Sequence, residues 1–261
     1  MIRVGVVGAT GRMGREVCRA VAADPDLDLV AAVSRSAPGV TLADAIGLDG
    51  ASASLVLIES LDPMREARID VLVDFTAASH APDHIAWGIA NGVHVVVGTT
   101  GFEVDPSWAD APVGIVVAPN FAIGAVLLMR FAEQAARHLP SAEIIELHHE
   151  GKLDAPSGTA LLTARRIAAA RGSSVRPPSV DEDHAGARGA DVDGVRVHSV
   201  RLPGLVAHEE VIFGGEGQVL TLRHDSSDRT SFMPGVLLAV KAVGHRAGLT
   251  VGLEALLDEV R

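Results

Sequence analysis

"MIRVGVVGATGRMG", residues 1–14, decides the fold. Ile2 to Val7 is a β-rich run of buried-strand length, and it ends on Gly8. Gly8-Ala9-Thr10-Gly11-Arg12-Met13-Gly14 then opens into "GREVCRAVAADP", a helix-like segment that Asp24-Pro25 stops. Strand, glycine loop and helix in this order are the parts of a dinucleotide-binding turn. Gly8 permits the tight turn, Gly11 lets backbone approach a pyrophosphate, and Gly14 allows close helix packing, with the phosphates at the helix N-terminus. The spacing, G-x-x-G-x-x-G, is a variant of the usual fingerprint, so the rest of the chain must support it.

Working outward, "LDLVAAV" (27–33), "IDVLVDFT" (69–76), "VHVVVGTTG" (93–101) and "VGIVVAPNF" (113–121) read as further strands. "ASLVLIES" (53–60) adds another apolar run, and "HAPDHIAWGIANG" (80–92) reads as a helix closed by Gly92. Near-continuous apolar strands alternating with helices predict a parallel sheet covered on both faces. Three strands stop in polar or glycine-rich segments, Asp74-Phe75-Thr76, Gly98-Thr99-Thr100-Gly101 and Ala118-Pro119-Asn120-Phe121. Ligands of such sheets bind outside the strands' carboxyl ends, so these segments are expected to meet the glycine loop at one crevice. After strand two, where an NAD site presents a carboxylate to the ribose, this chain has Ser34-Arg35. Arg35 suits a 2′-phosphate and Ser34 leaves room and a donor, which predicts NADPH as the preferred reductant and NADH as the second candidate. Arg12 reads equally as a further phosphate contact or a solvated cation.

Beyond Asn120 the pattern changes. "FAIGAVLLMRFAEQAARHL" (121–139) is a long helix-like run, followed by the strand "AEIIELHH" (142–149) and the helix "ALLTARRIAAARG" (160–172). "VRVHSVRL", "EEVIFGG" and "QVLTLRHD" follow as strands with partly alternating polarity, which predicts a largely antiparallel meander with one covered face. "SFMPGVLLAVKAVGHRAG" (231–248) reads as a helix with Pro234 near its start and Gly248 past its end, of unassigned domain.

Composition narrows the function. The chain has 261 residues, 48% of them hydrophobic, with a net charge of −11 and no tyrosine, which argues against nucleic-acid backbones and aromatic stacking platforms. The lone Cys18 sits at helical spacing with Val21 and Ala22 and reads as core. No leader precedes Ile2 and no apolar run has membrane-spanning length, so a cytoplasmic location without a membrane partner is expected.

The densest chemistry lies in "ELHHEGKLDAPSGTA", residues 146–160. Adjacent strand residues point to opposite faces, so His148 and His149 make a poor metal pair, and no metal is expected. Lys152 adds a proton donor, and Ser157-Gly158-Thr159 presents backbone N–H groups at a helix start, suited to a carboxylate or phosphate. Asp154 either orients Lys152 or caps the helix, and capping is the favoured role. A histidine exchanging protons near neutrality, a lysine and an anion cradle, added to a nicotinamide crevice, describe hydride transfer to a polarised C=C or C=N bond of an anionic substrate.

"GATGRMG", "VDFT", "GTTG", "APNFAIG" and above all "ELHHEGKLDAPSGTA" resemble the 4-hydroxy-tetrahydrodipicolinate (dihydrodipicolinate) reductase family of lysine and diaminopimelate synthesis, in the same order along nearly the whole chain. The resemblance implies a Rossmann-like parallel-sheet nucleotide domain, 1–119 with 230–261, to which the C-terminal helix returns. It further implies a mixed α/β domain, 120–229, that binds a cyclic dicarboxylate and builds a homotetramer through its sheet. It implies His148 as the acid/base histidine, Lys152 as the proton-donating lysine, and His149, Gly158 and Thr159, beside Ser157, as carboxylate contacts. The implied cofactor stretches are Gly8 to Met13, Gly98 to Thr100 and Ala118 to Phe121, to which the crevice reading adds Ser34, Arg35 and Phe75. Many members carry a glutamate where Ser34 stands, which counts against easy use of NADH, and a more basic segment where Glu150-Gly151 stands, read as facing solvent. On this reading the substrate lies between the domains, whose closure excludes water. A dehydrogenase for another amino-acid precursor and a nicotinamide-sensing regulator are the rival readings.

Overall fold

The computed structural model describes residues 1–139, 141–171 and 184–258. The chain divides into two units, Met1–Phe121 with Phe232–Arg261, and Ala122–Ser231. In the first unit the initial strand-loop-helix is β1 (Ile2–Val7) and α1 (Gly14–Ala23), followed by β2 (Leu27–Val33) and a short α2 (Leu42–Ile46). Then come β3 (Val71–Asp74), α3 (Ala81–Asn91), β4 (His94–Val97) and β5 (Gly114–Val117). Every pairing is parallel, in the order β11-β5-β4-β3-β1-β2, where β11 is Gly248–Val251. The chain steps from β1 outward to β2 and back to β3 on the other side, which opens the ligand crevice of a Rossmann-like sheet at the β1 and β3 carboxyl ends. Val4, Val6, Leu72, Val73, Val95, Val96, Ile115 and Val116 are buried to within 1%, as strands covered on both faces require. Cys18 packs inside α1's buried face, and burial pushes its thiol up to about 12, which removes the thiolate reactivity a catalytic cysteine needs.

The second unit begins with α4 (Ile123–Ala136) and β6 (Ser141–His148), continues through α5 (Gly158–Arg171), and ends with β7 (Ala190–Val192), β8 (Val195–Arg201), β9 (Ala207–Gly215) and β10 (Gln218–Ser226). The sheet is mixed, in the order β10-β9-β6-β8-β7. This corrects the expected meander: β6 inserts between β8 and β9 and pairs parallel with β8, because the α5 crossover carries the chain back before β8 starts. The other three pairings are antiparallel. β7 was not expected. It is three residues long, and Asp193 and Gly194, at φ 52° and 79°, turn it into β8. Helices α4 and α5 cover one face, burying Leu128, Ala132, Ile144, Ile167, Val197, Val211 and Phe213.

Two further expectations change. Residues 53–60 form only isolated bridges, Thr41 with Val56 and Val33 with Ile58. The tail helix, α6 (Met233–Ala242), stops six residues before Gly248, at a short 3-10 turn, and Gly248 opens β11 beside β5 rather than ending the helix. The tail, which closes with α7 (Glu254–Leu257), therefore belongs to the first unit.

Candidate active site

In the first unit the glycine loop is built as its spacing requires. Gly8 takes φ +80°, and its N–H and that of Ala9 donate to the Val33 carbonyl at 3.1 and 3.0 Å, which ties the loop to the end of β2. A Cβ on Gly14 would lie 2.0 Å from the Gly8 carbonyl oxygen, so no other residue lets α1 start so close. The loop borders a cavity of about 570 Å³, a size suited to a small molecule. Gly8, Thr10, Gly11, Ser34, Arg35 and Phe75 line it among the expected residues. Ala9 (buried), Arg12 (exposed) and Met13 do not. Neither do Gly98, Thr99, Thr100, Ala118, Pro119, Asn120 and Phe121, which follow β4 and β5. Those two loops meet Phe75 instead. A Cβ on Gly98 would lie 2.0 Å from the Phe75 ring, whose centroid is 5.6 Å from that of Phe121.

The hydroxyls of Thr10, Ser34 and Ser36 form a closed ring at 2.7 to 3.1 Å, so the end of β2 offers hydroxyls where a carboxylate would repel a 2′-phosphate. Arg35 Nη2 lies 3.1 Å from Nε2 of His80, another lining residue. Because guanidinium only donates, that nitrogen of His80 accepts. His84, one helical turn on, is held at 2.7 Å by the fully buried Asp74, which also accepts from the Thr76 amide and hydroxyl at 2.7 and 2.6 Å. His80 and His84 were not singled out from the sequence, although their i, i+4 spacing at the start of α3 places both on one face.

In the second unit β6 runs through His148, and His149 is the first residue beyond it. Two residues before His148, and so on the same face, Glu146 is fully buried. Its carboxylate accepts from His148 Nδ1 at 2.5 Å, from both Arg201 amino groups at 2.8 and 2.9 Å, and from the Ser157 amide at 3.2 Å. Burial works to raise the Glu146 carboxyl, but the hydrogen bonds from His148, Arg201 and Ser199 outweigh it and hold the group at about 2. The ionised Glu146 therefore fixes Nδ1 of His148 as the donor and leaves Nε2 for chemistry. Arg201 also donates to the carbonyls of Lys152 and Asp154, which anchors the loop between β6 and α5.

Lys152 Nζ pairs with Asp154 Oδ1 at 2.8 Å, and this hydrogen bond draws the Asp154 carboxyl below its usual range. The expected capping role of Asp154 is thus corrected: Ser157 Oγ accepts from the Ala160 amide at 3.2 Å and serves the helix start. Ser157 itself is buried, and with its N–H given to Glu146 it supports the cradle from below instead of offering that N–H to a ligand. Gly158 and Thr159 head α5, and the space beside Gly158 is open for 4 Å. Glu150 is exposed. Sequence reasoning missed Glu146 and Arg201. The period of two in "ELH" could have found the first, whereas Arg201 meets His148 only through β6–β8 register.

Residues 2–121 match the family described as dihydrodipicolinate reductase, N-terminus, and residues 124–257 match dihydrodipicolinate reductase, C-terminus. Relatives named 4-hydroxy-tetrahydrodipicolinate reductase, from Nocardia farcinica and Corynebacterium diphtheriae, are 50% and 49% identical over 267 aligned residues, covering 98% of this chain and 99% of each relative. A dipicolinate-bound dihydrodipicolinate reductase from Paenisporosarcina sp. TG-14 superposes with a TM-score of 0.85 at 43% identity, with 98% of this chain and 99% of that chain covered. An amine dehydrogenase from Mycobacterium smegmatis shares the fold, with a TM-score of 0.63 at 14% identity over 95% of this chain and 94% of that chain.

Proposed function

We infer how the site works from one premise: the chain belongs to the dihydrodipicolinate reductase family. It is an oxidoreductase that uses NAD(P)H to reduce 4-hydroxy-tetrahydrodipicolinate to tetrahydrodipicolinate, with loss of water, in diaminopimelate and lysine biosynthesis. Its substrate is a small cyclic molecule, and among the described residues no helix is long and apolar enough to cross a membrane. A biosynthetic role of this kind fits work in the cytoplasm.

The glycine loop, with its close helix start and open cavity, fits a dinucleotide, which when bound supplies the hydride. NADPH is the favoured form. The hydroxyl ring at Ser34 leaves β2 itself ending without a carboxylate, and Arg35 and His80 stand ready for a 2′-phosphate, while the cavity's carboxylates, Glu59 and Asp62, come from the segment after Ile58, whose carbonyl accepts from the Ser34 amide at 2.9 Å. In the second unit His148 Nε2 holds the proton that the reduced ring takes up, its partner nitrogen being tied to Glu146. Lys152, steadied by Asp154, adds positive charge and a second donor. His149 and the Gly158 and Thr159 amides hold the substrate carboxylates at the positive end of α5, a reading supported by the dipicolinate, a planar dicarboxylate, named in the Paenisporosarcina complex. The observation that carries this reading is the Glu146–His148 bond. It ties up one histidine nitrogen and leaves the other for chemistry, on the strand whose following loop carries Lys152 and leads to the start of α5.

The test is nicotinamide oxidation with substrate generated in place from pyruvate and aspartate semialdehyde. Wild-type protein should oxidise NADPH at lower KM than NADH. His148→Gln and Lys152→Met should each lose roughly a hundredfold or more in kcat while binding NADPH nearly as before. Near wild-type turnover in both variants would remove the proton-donor assignment.

The oligomer is a homotetramer in this reading. The sheet face of the second unit opposite α4 and α5 carries Ile145, Leu147, Val200, Ile212 and Val219, and Val219 is 70% exposed. A second copy of the same face is the occupant this pattern favours.

A further inference from the structure

β2 is the last full strand of the first sheet, with β1 on one side, but its outer edge is not bare. The Ile58 amide donates to the Ala32 carbonyl at 3.0 Å and the Ser34 amide donates to the Ile58 carbonyl at 2.9 Å, which makes a parallel bridge of Val33 with Ile58. The preceding residue is held from the other side. The Leu57 amide donates to the Val40 carbonyl and the Gly39 amide to the Leu57 carbonyl, both at 2.8 Å, and Thr41 bridges Val56. With Leu57 itself fully buried, residues 56–58 form a fixed, rudimentary strand whose carboxyl end lies level with that of β2. Glu59 follows Ile58 as Ser34 follows Val33.

Ser34 and Glu59 both line the cavity beside the glycine loop. An NAD site presents a carboxylate at the end of β2; here the carboxylate stands one strand position further out. Arg35 is drawn the opposite way, to within 3.1 Å of His80, which follows β3 and so belongs across β1 from β2. The cavity therefore has cationic donors toward β3 and a carboxylate beyond β2. Glu59 is exposed, and among the described residues its side chain has no hydrogen bond or ion pair that would occupy it. Asp62, the cavity's other carboxylate, lies three residues further on, in a 3-10 turn that the Ile58 bonds do not hold.

A ribose diol offers a carboxylate two donors, whereas a 2′-phosphate replaces one of them with negative charge. We propose that Glu59 is a specificity-determining residue: it takes the place of the carboxylate that β2 lacks, accepts from the adenosine ribose hydroxyls of NADH, and opposes the 2′-phosphate of NADPH. Arg35 and Glu59 then pull cofactor choice in opposite directions, and NADH stays a working second reductant in a site that favours NADPH. The proposal rests on the reading of this cavity as the seat of the dinucleotide's adenosine end.

The test measures Kd for NADH and NADPH from nicotinamide fluorescence, without turnover, in the wild type, Glu59→Gln and Arg35→Ala. The sign of the NADH change decides. Both cofactors carry a pyrophosphate, so a carboxylate that merely repels anions would, once neutralised, let both bind more tightly. A carboxylate that accepts from the ribose gives the reverse for NADH: E59Q should raise its Kd about three- to tenfold, the scale of one hydrogen bond weakened by loss of charge, and lower the NADPH Kd about twofold or more. Calorimetry with 5′-AMP and 2′,5′-ADP, which carry no nicotinamide, should follow NADH and NADPH in turn and confine the effect to the adenosine end. An unchanged or lowered NADH Kd in E59Q overturns the proposal. R35A separates the two levels. If it weakens NADPH while E59Q leaves NADH alone, only Glu59 is refuted; if neither variant shifts either cofactor, the cavity is not the adenosine seat and the cofactor reading falls with it. Because Glu59 is exposed and unpaired, E59Q should melt with the wild type, and matching thermal melts show that its Kd values belong to folded protein.

Discussion

Glu146 sits out of reach of solvent, yet more of the site hangs on it than on any residue that faces a ligand. It accepts from His148, from Arg201 twice and from the Ser157 amide, so one carboxylate orients the histidine, the loop and the helix start together. Glu146→Gln would leave the Arg201 charge largely buried and without its partner, at a stability cost of about 3 kcal/mol. The sign with pH follows from its depressed value. The group is held at about 2 against an ordinary value of 4.5, so its stabilisation is complete above about pH 4.5 and is lost as pH falls toward 2. The stability difference between wild type and E146Q, from denaturant melts at stepped pH, should therefore shrink across that window. A difference that stays constant to the acid end would show that Glu146 is not the ionised anchor.

At the scale of elements, the proposed preference for NADPH turns on β2 and α3. β2 ends in Ser34-Arg35 and α3 begins at His80 and His84, and these termini bring Arg35 within 3.1 Å of His80. Arg35→Ala should raise the NADPH KM about tenfold and move the NADH KM little, because the lost donors would serve only a 2′-phosphate. His80→Ala should act in the same direction, and the double variant should fall short of the sum because the two side chains touch. Equal changes for both cofactors would place Arg35 outside any phosphate role. The Arg35 half of this contact is legible in the sequence, since a residue following a parallel strand at a glycine loop has one plausible use. The His80 half is not, because it depends on where α3 returns over the sheet. The same division runs through the fold. β1, β2 and the α3 stop at Gly92 follow from local signals, whereas β6 entering between β8 and β9, and β11 edging the first sheet, are choices of pairing that periodicity cannot express. Arg201 escaped for that reason, since only the β6–β8 register brings it to the site. The Asp193-Gly194 turn, by contrast, is a local signal, although the strand it follows is only three residues long.

For the whole molecule the proposed homotetramer turns on the outer face of the second sheet. Its helix-covered face is a packed core, and its other face alternates apolar residues with ion pairs, Arg223 with Glu210 and Asp225, and His198 with Glu143. Such a face is too apolar for water alone and too charged for a core, the mixture typical of a self-complementary interface between copies. Exposed ion pairs contribute little to stability, so the apolar residues should supply most of the association energy. Light scattering should then give a mass near four times the 27.0 kDa chain. Ile212→Asp, set in the middle of that face between Glu143 and Thr221, should dissociate the assembly while leaving the helix-covered core and NADPH binding intact. A monomer mass for the wild type, or an unchanged tetramer in I212D, would mean that this face meets solvent and that the copies, if any, join elsewhere.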